Sequence, residues 1–430
     1  MRGKSRFLAL TMILMLVMSQ LGSALAQDTV TIEWWSVAGN ELPQEAQEAI
    51  VTAFEAANPN IKVNLTILPE TGYDERMTTT LGAGEGAPDV ALFWNANWYA
   101  QTLDLTPYLE ADPDLSPEDY FENFWINWAT WGDKVVGLPL GVGANFVMYN
   151  KAVFDEAGVD YPTADWTPEE YIEVAKSVTD TEVRRWGGDR PRGPYRAIWM
   201  NYGAFPYSDD STMVDGYFNS EASIAAYEWL WDLVDSGATP TPADIEILGT
   251  EGTGPIDLFL AGRLAMATLN QGHMLIAVDE GVDFGIVPEP GFVDSQRFVN
   301  AWSLTASVWS GTENPDEAYE FLSFFAGPEG QRILMEQGTL FPALPAVLDE
   351  YENADTDYAQ AFFSVLEDTQ VAEWTAEHAC WRGAVIRSVQ DVWDLINLGE
   401  ISRDEVAPTI NDYLDEAQVS LEECTPRLGG

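Results

Sequence analysis

Apolar and polar positions alternate with two different periods along the first third of the chain. "TIEWWS" (31–36) is a short apolar run that predicts a strand. Residues 42–57 then place Ala46, Ala49, Ile50, Ala53, Phe54 and Ala57 on one helical face, and Asn58-Pro59 stops that helix. Ile61, Val63, Leu65 and Ile67 alternate as a second strand, and "APDVALFW" (87–94) supplies a third after another helix. This β-α-β succession predicts an α/β fold. Trp34 and Trp35 stand side by side at the end of the first strand. Successive strand side chains point to opposite faces, so one indole enters the core and its neighbour must meet a loop or a ligand.

Later segments repeat the alternation. Thr167-Pro168-Glu169-Glu170 offers an N-cap, a first-turn proline and a capping-box glutamate. Asn314-Pro315 opens a helix over 315–325, and Ser402 with Glu405 opens the last one. "GRLAMATL" (262–269) and "DFGIVP" (283–288) read as strands far along the chain. With 430 residues a single core is improbable, and strands recur after a first domain would have closed. We therefore expect two lobes with more than one chain crossing between them.

The amino terminus specifies an address. Arg2, Lys4 and Arg6 precede an apolar run from Phe7 to Met18, and Ala24-Leu25-Ala26 forms a small-x-small cleavage pattern. A membrane span needs about 20 apolar residues, so the run predicts a signal peptide over 1–26 and no membrane insertion after cleavage. The exported chain is expected in the periplasm or outside the cell. There, the only two cysteines, Cys380 and Cys424, are expected to form one disulfide. A zinc site is not expected, because His273 and His378 do not combine with them at any zinc-ligand spacing. The formal charge of −50 disfavours nucleic acid and anionic membranes as partners.

Catalytic signatures are scarce. No G-x-S-x-G elbow, H-E-x-x-H or P-loop occurs, and "GAGEGAP" (82–88) precedes a strand, so it reads as a loop. The chain's 70 acids make accidental carboxylate pairs inevitable. Aromatics are the unusual feature, with 17 Trp, 16 Tyr and 19 Phe. Trp125, Trp128, Trp229, Trp231 and Trp393 fall at helical spacing and read as packing. Others lie at strand ends or in loops beside polar residues: Trp35 with Ser36, Trp94 with Asn95, Trp199 with Asn201, Trp302 with Asn300. A flat indole with amides nearby suits a sugar, whose C–H face stacks while its hydroxyls hydrogen-bond at the rim. One stacked face of roughly 50 Å² gives about 1.3 kcal/mol. Micromolar binding needs about 8 kcal/mol, so hydrogen bonds must supply most of it.

Taken in order, "TIEWWS", "AFEAANPNIKVNL", "LGAGEGAPDVALFW", "GDKVVGLPLGVGANFVMYNKAVFDEAGV", "TPEEYIEVAKSVT", "FLAGRLAMATLNQG", "DFGIVPEPG" and "NPDEAYEFLSFFAGPEGQRILMEQGTLFPAL" resemble the extracellular solute-binding protein family 1. These are the maltose-binding-like sugar receptors of ABC importers. The resemblance covers nearly the whole chain after residue 26. It implies a two-lobed periplasmic-binding-protein fold of type II character, with three crossings near Gly141, Asn270 and Phe324. The N-terminal lobe would comprise 27–141 and 270–324, and the C-terminal lobe 142–269 and 325–430. It further implies a carbohydrate ligand held between the lobes, an ABC permease as partner, a monomer, no cofactor and no catalysis. Ligand contacts are expected from Trp35, Ser36, Trp94, Asn95, Asn145 and Trp381, with Trp199, Asn270 and Trp302 as further transfers. "NQGHM" replaces the "DG-x-W" common after "AM", which leaves the particular sugar open.

Arg184, Arg185, Arg190, Arg192 and Arg196 crowd the stretch 182–196. Its glycines and prolines read as a surface loop. An arginine reaching the cleft would instead suit a sugar phosphate or uronate. A polyamine would suit an acidic, aromatic cleft. A secreted glycoside hydrolase is the competing reading from another class.

Overall fold

The computed structural model describes residues 29–37, 39, 42–84, 86–94, 96–189, 196–205, 207–208, 212–248, 254–292, 296–337, 340–368, 370–371 and 385–428. The leader, Asn95, Cys380 and Trp381 fall outside these residues, as does the side chain of Cys424, so the predicted disulfide does too.

Seven strands form one sheet: β1 (Val30–Val37), β2 (Ile61–Leu68), β3 (Val90–Leu92), β4 (Leu138–Asn150), β5 (Met266–Asn270), β6 (Phe284–Val287) and β7 (Ala301–Val308). The order is β2-β1-β3-β7-β4-β5, with β6 also paired to β4. β1 runs parallel to β2 and β3; the remaining pairs are antiparallel. The helices that matter below are α1 (Gln44–Ala57), α2 (Tyr73–Ala83), α3 (Pro168–Val178), α4 (Arg196–Asn201), α5 (Glu221–Asp235), α6 (Gln271–Asp279), α7 (Pro315–Ala326), α8 (Pro328–Glu336), α9 (Asp357–Asp368), α10 (Val385–Leu398), α11 (Val406–Asp412) and α12 (Leu414–Leu428).

The strand β4 joins the two halves. Residues 138–144 pair with β7, whereas 145–149 pair with β5 and 147–150 with β6. A register shift between Leu304 and Thr305 of β7 falls opposite Pro139, which has no N–H to offer. One lobe thus ends, and the other begins, at Ala144 and Asn145. Two large hydrophobic cores are present, and the first runs across this division, taking in Phe146, Leu269 and Ile286 of the second half of the sheet. The first holds Ile32, Trp34 and Phe54 beneath α7; the second holds Trp199, Tyr227, Trp229 and Trp393 among α4, α5 and α10.

Local signals account for the helices. Thr167 Oγ1 accepts from the N–H of Glu170 at 3.2 Å, and Glu170 Oε2 accepts from the N–H of Thr167 at 2.8 Å, the capping box that opens α3. Ser402 and Glu405 also form a capping box, ahead of a short helical turn and α11. The last helical segment is then split at Tyr413 into α11 and α12.

The later crossings sit elsewhere than the expected positions. β6 still pairs with the second half of β4, so the return to β7 lies within 288–300, beyond Asn270. Both α7 and α8 pack on α1 and β4, so 325–336 stays with the first lobe, and the passage expected near Phe324 comes later. α9 packs on β6, α10 and α11 pack on α5, and α12 packs on α10 and α11.

Candidate ligand cleft

The carboxyl-terminal edge of the first sheet half gathers several of the expected residues, and open α/β sheets bind ligands at that edge. Trp34 and Trp35 take opposite faces, as the strand period requires. Trp34 is 0% exposed and lies 5.0 Å from Phe325 and 5.2 Å from Phe321, ring centre to ring centre. Trp35 is half-buried on the other face, under α2, with the Arg76 guanidinium carbon 4.7 Å from its ring centre. Trp35 pairs with Ala91, and Trp94 lies two residues beyond the end of β3. The first turn of α2 holds Trp94 as well. Asp74 Oδ1 accepts from the indole N–H at 2.7 Å, and the ring lies 4.6 Å from Tyr73. Tyr73 in turn donates to the Leu92 carbonyl at 3.0 Å, fixing α2 to β3.

Trp302 opens β7 just beyond the end of β3, because Ala306, four residues on, is the partner of Leu92. Its indole covers Gly143, where an added Cβ would stand 2.5 Å from the ring and 2.7 Å from Gln271 Nε2. Only glycine admits this close approach. Gln271 is buried, and its Oε1 accepts from the N–H of Ala144 at 3.2 Å. Asn145 pairs with Asn270 across β4 and β5. Asn270 caps α6: its Oδ1 accepts from the N–H of His273 at 3.2 Å, and His273 Nδ1 accepts from the Asn270 N–H at 3.4 Å. Burial holds the His273 imidazole below its ordinary pKa, in the neutral form that can accept.

The structure therefore brings Trp35 and Trp94 together under α2, and Asn145, Asn270 and Trp302 together at the lobe crossing. Ser36 and Trp199 are placed differently. Ser36 lies on the Trp34 face and is 0% exposed. Trp199 is 2% exposed, edge-on to Tyr227 at 5.1 Å in the second core. Of the arginine stretch, Arg184 is exposed in a turn, and Arg185 is buried with its Nη1 2.9 Å from Glu156. Arg190 and Arg192 fall outside the described residues.

Two carboxylates beside the crossing escaped the sequence reading. Glu289 follows β6 and is 4% exposed; its Oε2 accepts from the N–H of Asn300 at 3.2 Å. Asn300 links three segments: its carbonyl accepts from the Asn145 N–H at 2.7 Å, and its Oδ1 from the Ala197 N–H at 3.3 Å. Burial, reinforced by the charge of Asp189, pushes the Glu289 carboxyl up to about 7 against the pull of the Asn300 N–H. Asp189 is buried as well, and its Oδ1 accepts from the N–H of Thr268 on β5 at 3.2 Å. The Arg76, Asp74 and Gln271 contacts were equally invisible. No pattern in the sequence marks them, because each depends on a pairing between distant segments.

The arrangement offers stacking faces and amide or carboxylate hydrogen-bonding groups at a mechanical crossing point. Among the described residues no group of three or more His, Cys, Asp or Glu is disposed to hold a metal ion. None of the helices is long and apolar enough to cross a membrane, again among the described residues.

Comparison with known proteins bears on this geometry. The sequence profile of a family described as bacterial extracellular solute-binding protein matches residues 39–332. The erythritol/L-threitol-binding protein of Mycolicibacterium smegmatis is 23% identical over 304 residues, which span 65% of this chain and 63% of that one. An arabinooligosaccharide-binding protein of Bacillus subtilis is 26% identical over 397 residues, or 84% of this chain and 87% of that one. Among solved structures, an ABC substrate-binding protein from Listeria monocytogenes in complex with cycloalternan superposes with a TM-score of 0.73, 24% identity, and coverage of 90% and 98%. A sugar-binding protein from Xanthomonas citri does so with a TM-score of 0.76, 18% identity, and coverage of 92% and 99%. These structures share the two-lobed α/β fold with this chain.

Proposed function

Because the chain belongs to the bacterial extracellular solute-binding protein family, we propose that it captures a carbohydrate outside the cytoplasmic membrane and delivers it to the membrane subunits of an ABC importer. The observation that carries this reading is the set of half-buried indoles, Trp35, Trp94 and Trp302, on one sheet edge with Asn145 and Asn270 at the lobe crossing. Indole faces stack a sugar ring, and the amides order its hydroxyls. Glu289 and Asp189 add buried carboxyl groups beside the crossing as further hydrogen-bonding partners for hydroxyls. Relatives named for erythritol or L-threitol and for arabino-oligosaccharides support a polyhydroxylated ligand.

The protein acts by binding and release, as a monomer without a cofactor of its own. The exported form begins near Gln27, and ATP hydrolysis belongs to a separate subunit. A thermal-shift screen of polyols, monosaccharides and oligosaccharides tests this, since a ligand at 100 times its Kd stabilises by about 2.7 kcal/mol. Recovery of a hit oligosaccharide intact, after stoichiometric binding in calorimetry, supports a receptor. Release of shorter products identifies a hydrolase and overturns the reading.

A further inference from the structure

Of the 13 residues of β4 only Asn145 is not buried. The sheet thus opens at the crossing, where the ends of its strands carry the groups a ligand meets. β5 ends at Asn270, the partner of Asn145. β6 ends at Val287, opposite Val147, which places Glu289, two residues on, level with Asn145 along β4. Asn300 ties the two together: its N–H donates to Glu289 Oε2 at 3.2 Å, and its carbonyl accepts from the Asn145 N–H at 2.7 Å. That leaves Glu289 Oε1. The side chain is 4% exposed, and among the described residues Oε1 has no hydrogen-bond partner.

The charges around this oxygen are unbalanced. None of the ion pairs among the described residues includes Glu289. Asp189, bonded to the Thr268 N–H of β5, adds a second buried carboxyl group whose charge acts on Glu289. Arg297, on the same return segment, is turned to the second lobe, where it donates to the carbonyls of Ala164 and Trp166. His273, on α6, is kept neutral by burial. Arg76 lies over Trp35 on β1, three strand spacings or about 14 Å from β4, beyond a Debye length of about 8 Å.

This setting treats neutral and anionic ligands differently. A sugar hydroxyl both donates and accepts, so it satisfies Oε1 in either protonation state. A carboxylate ligand only accepts. It meets Glu289 favourably while Glu289 keeps its proton; once both are ionised, two like charges face each other where water screens little. Burial, with the charge of Asp189, pushes the Glu289 carboxyl up to about 7, so the barrier to an anion rises across neutral pH.

We propose that Glu289 sets the charge class of the ligand: its free oxygen admits neutral polyhydroxylated molecules at the crossing and turns away their carboxylate counterparts. This role rests on the carbohydrate reading and narrows it.

Titration calorimetry of matched pairs on the full exported chain tests the role: erythritol with erythronate, galactose with galacturonate, and maltotriose with maltotrionate. Within each pair one carbon is oxidised to a carboxylate that stays ionised throughout the range used. For pairs whose neutral member binds, the anion is expected to bind about ten-fold or more weaker at about pH 8.5, and the gap to narrow about three-fold or more at about pH 6. Glu289→Gln keeps an acceptor for the Asn300 N–H, and its gap is expected to stay at the narrower value across that range. Asp189→Asn removes the charge that helps hold the Glu289 proton, so its gap is expected to open at a lower pH than in the parent. The chain's formal charge of −50 is the competing cause of a gap. Sodium chloride at about 0.5 M screens that charge, whereas a gap set by a buried group persists. Equal binding within the pairs, tighter binding of the anion, a gap that salt removes, or a gap unchanged in Glu289→Gln overturns the role of Glu289 and leaves the carbohydrate reading standing. Absence of binding by every neutral member, here and in the thermal-shift screen, defeats the carbohydrate reading itself and this role with it.

Discussion

Arg76 lies over the indole of Trp35, its guanidinium carbon 4.7 Å from the ring centre. The contact occupies the face that a sugar would need if Trp35 stacks on the ligand. A partly exposed cation–π contact is worth about 0.5–1 kcal/mol. Arg76→Ala removes the competitor and is expected to tighten carbohydrate binding by up to about five-fold. Trp35→Ala is expected to weaken it by at least ~1 kcal/mol, the scale of one lost stacked face. Titration calorimetry on both variants separates the roles. Weaker binding by Arg76→Ala means that the guanidinium itself contacts the sugar.

Trp34 has the opposite assignment. Its ring is enclosed by Phe321 and Phe325, and its buried indole N–H has no hydrogen-bond partner among the described residues. Trp34→Ala is expected to cost about 3–5 kcal/mol in urea unfolding, because the cavity left under α7 cannot collapse onto a sheet. Trp34→Phe keeps most of the ring and removes the unsatisfied donor, so its cost should stay below about 1.5 kcal/mol. Ligand affinity should be unaffected in both. A Phe variant as damaged as the Ala variant would show that the N–H is bonded after all.

The difference between these two neighbours was legible in the sequence because strand periodicity is local. So were the helix starts at Thr167, whose capping box acts on its own turn, and at Asn314, where Pro315 opens the helix without a side-chain cap. The central strand β4 was not. Its segment "LPLGVGANFVMYN" is buried on both faces along nearly its whole length, so no alternation marks it, and its glycines and proline weaken the strand signal further. Those glycines serve close packing: a Cβ on Gly141 would stand 2.8 Å from Leu340 Cβ. Glu289 and Asp189 were hidden for a different reason. Among 70 acids nothing local distinguishes a buried carboxylate from a solvated one; Glu289 is held by Asn300 in the return segment 288–300, and Asp189 by Thr268 on β5. Trp199 sits beside Asn201 in sequence, yet α4 turns its indole inward while the Asn201 side-chain amide bonds the carbonyls of Pro290 and Phe298.

Glu289 predicts a pH dependence. Its carboxyl, with an ordinary value of 4.5, is pushed up to about 7 in the folded protein, chiefly by burial. Between those values the folded state holds a proton that the unfolded chain has released. The contribution is therefore fully present below about pH 4.5 and is lost as pH rises through about 7, with a span of roughly 3 kcal/mol. Glu289→Gln mimics the protonated side chain and still accepts from Asn300. The variant should gain stability over the parent at pH 8 and match it near pH 4.5. Urea unfolding across that range checks the sign. Parallel curves for parent and variant would show that Glu289 titrates as an ordinary carboxylate.

Asn270 combines two duties that a pair of substitutions can separate. Its Oδ1 caps α6 by accepting from the His273 N–H, and it stands opposite Asn145 at the crossing where the ligand is expected. Loss of an N-cap costs about 1 kcal/mol. Asn270→Ala should therefore lower stability by about that amount and weaken carbohydrate binding as well. Asn270→Ser restores a capping oxygen on a shorter side chain without the carboxamide. Its stability should return close to that of the parent. If the amide contacts the sugar, binding by the serine variant stays reduced by about 0.5–1.5 kcal/mol, the net worth of one neutral hydrogen bond. Should the serine variant recover stability and affinity together, Asn270 acts on the ligand only through the helix it caps, and the sugar's polar contacts must come from Asn145, Glu289 and Asp189.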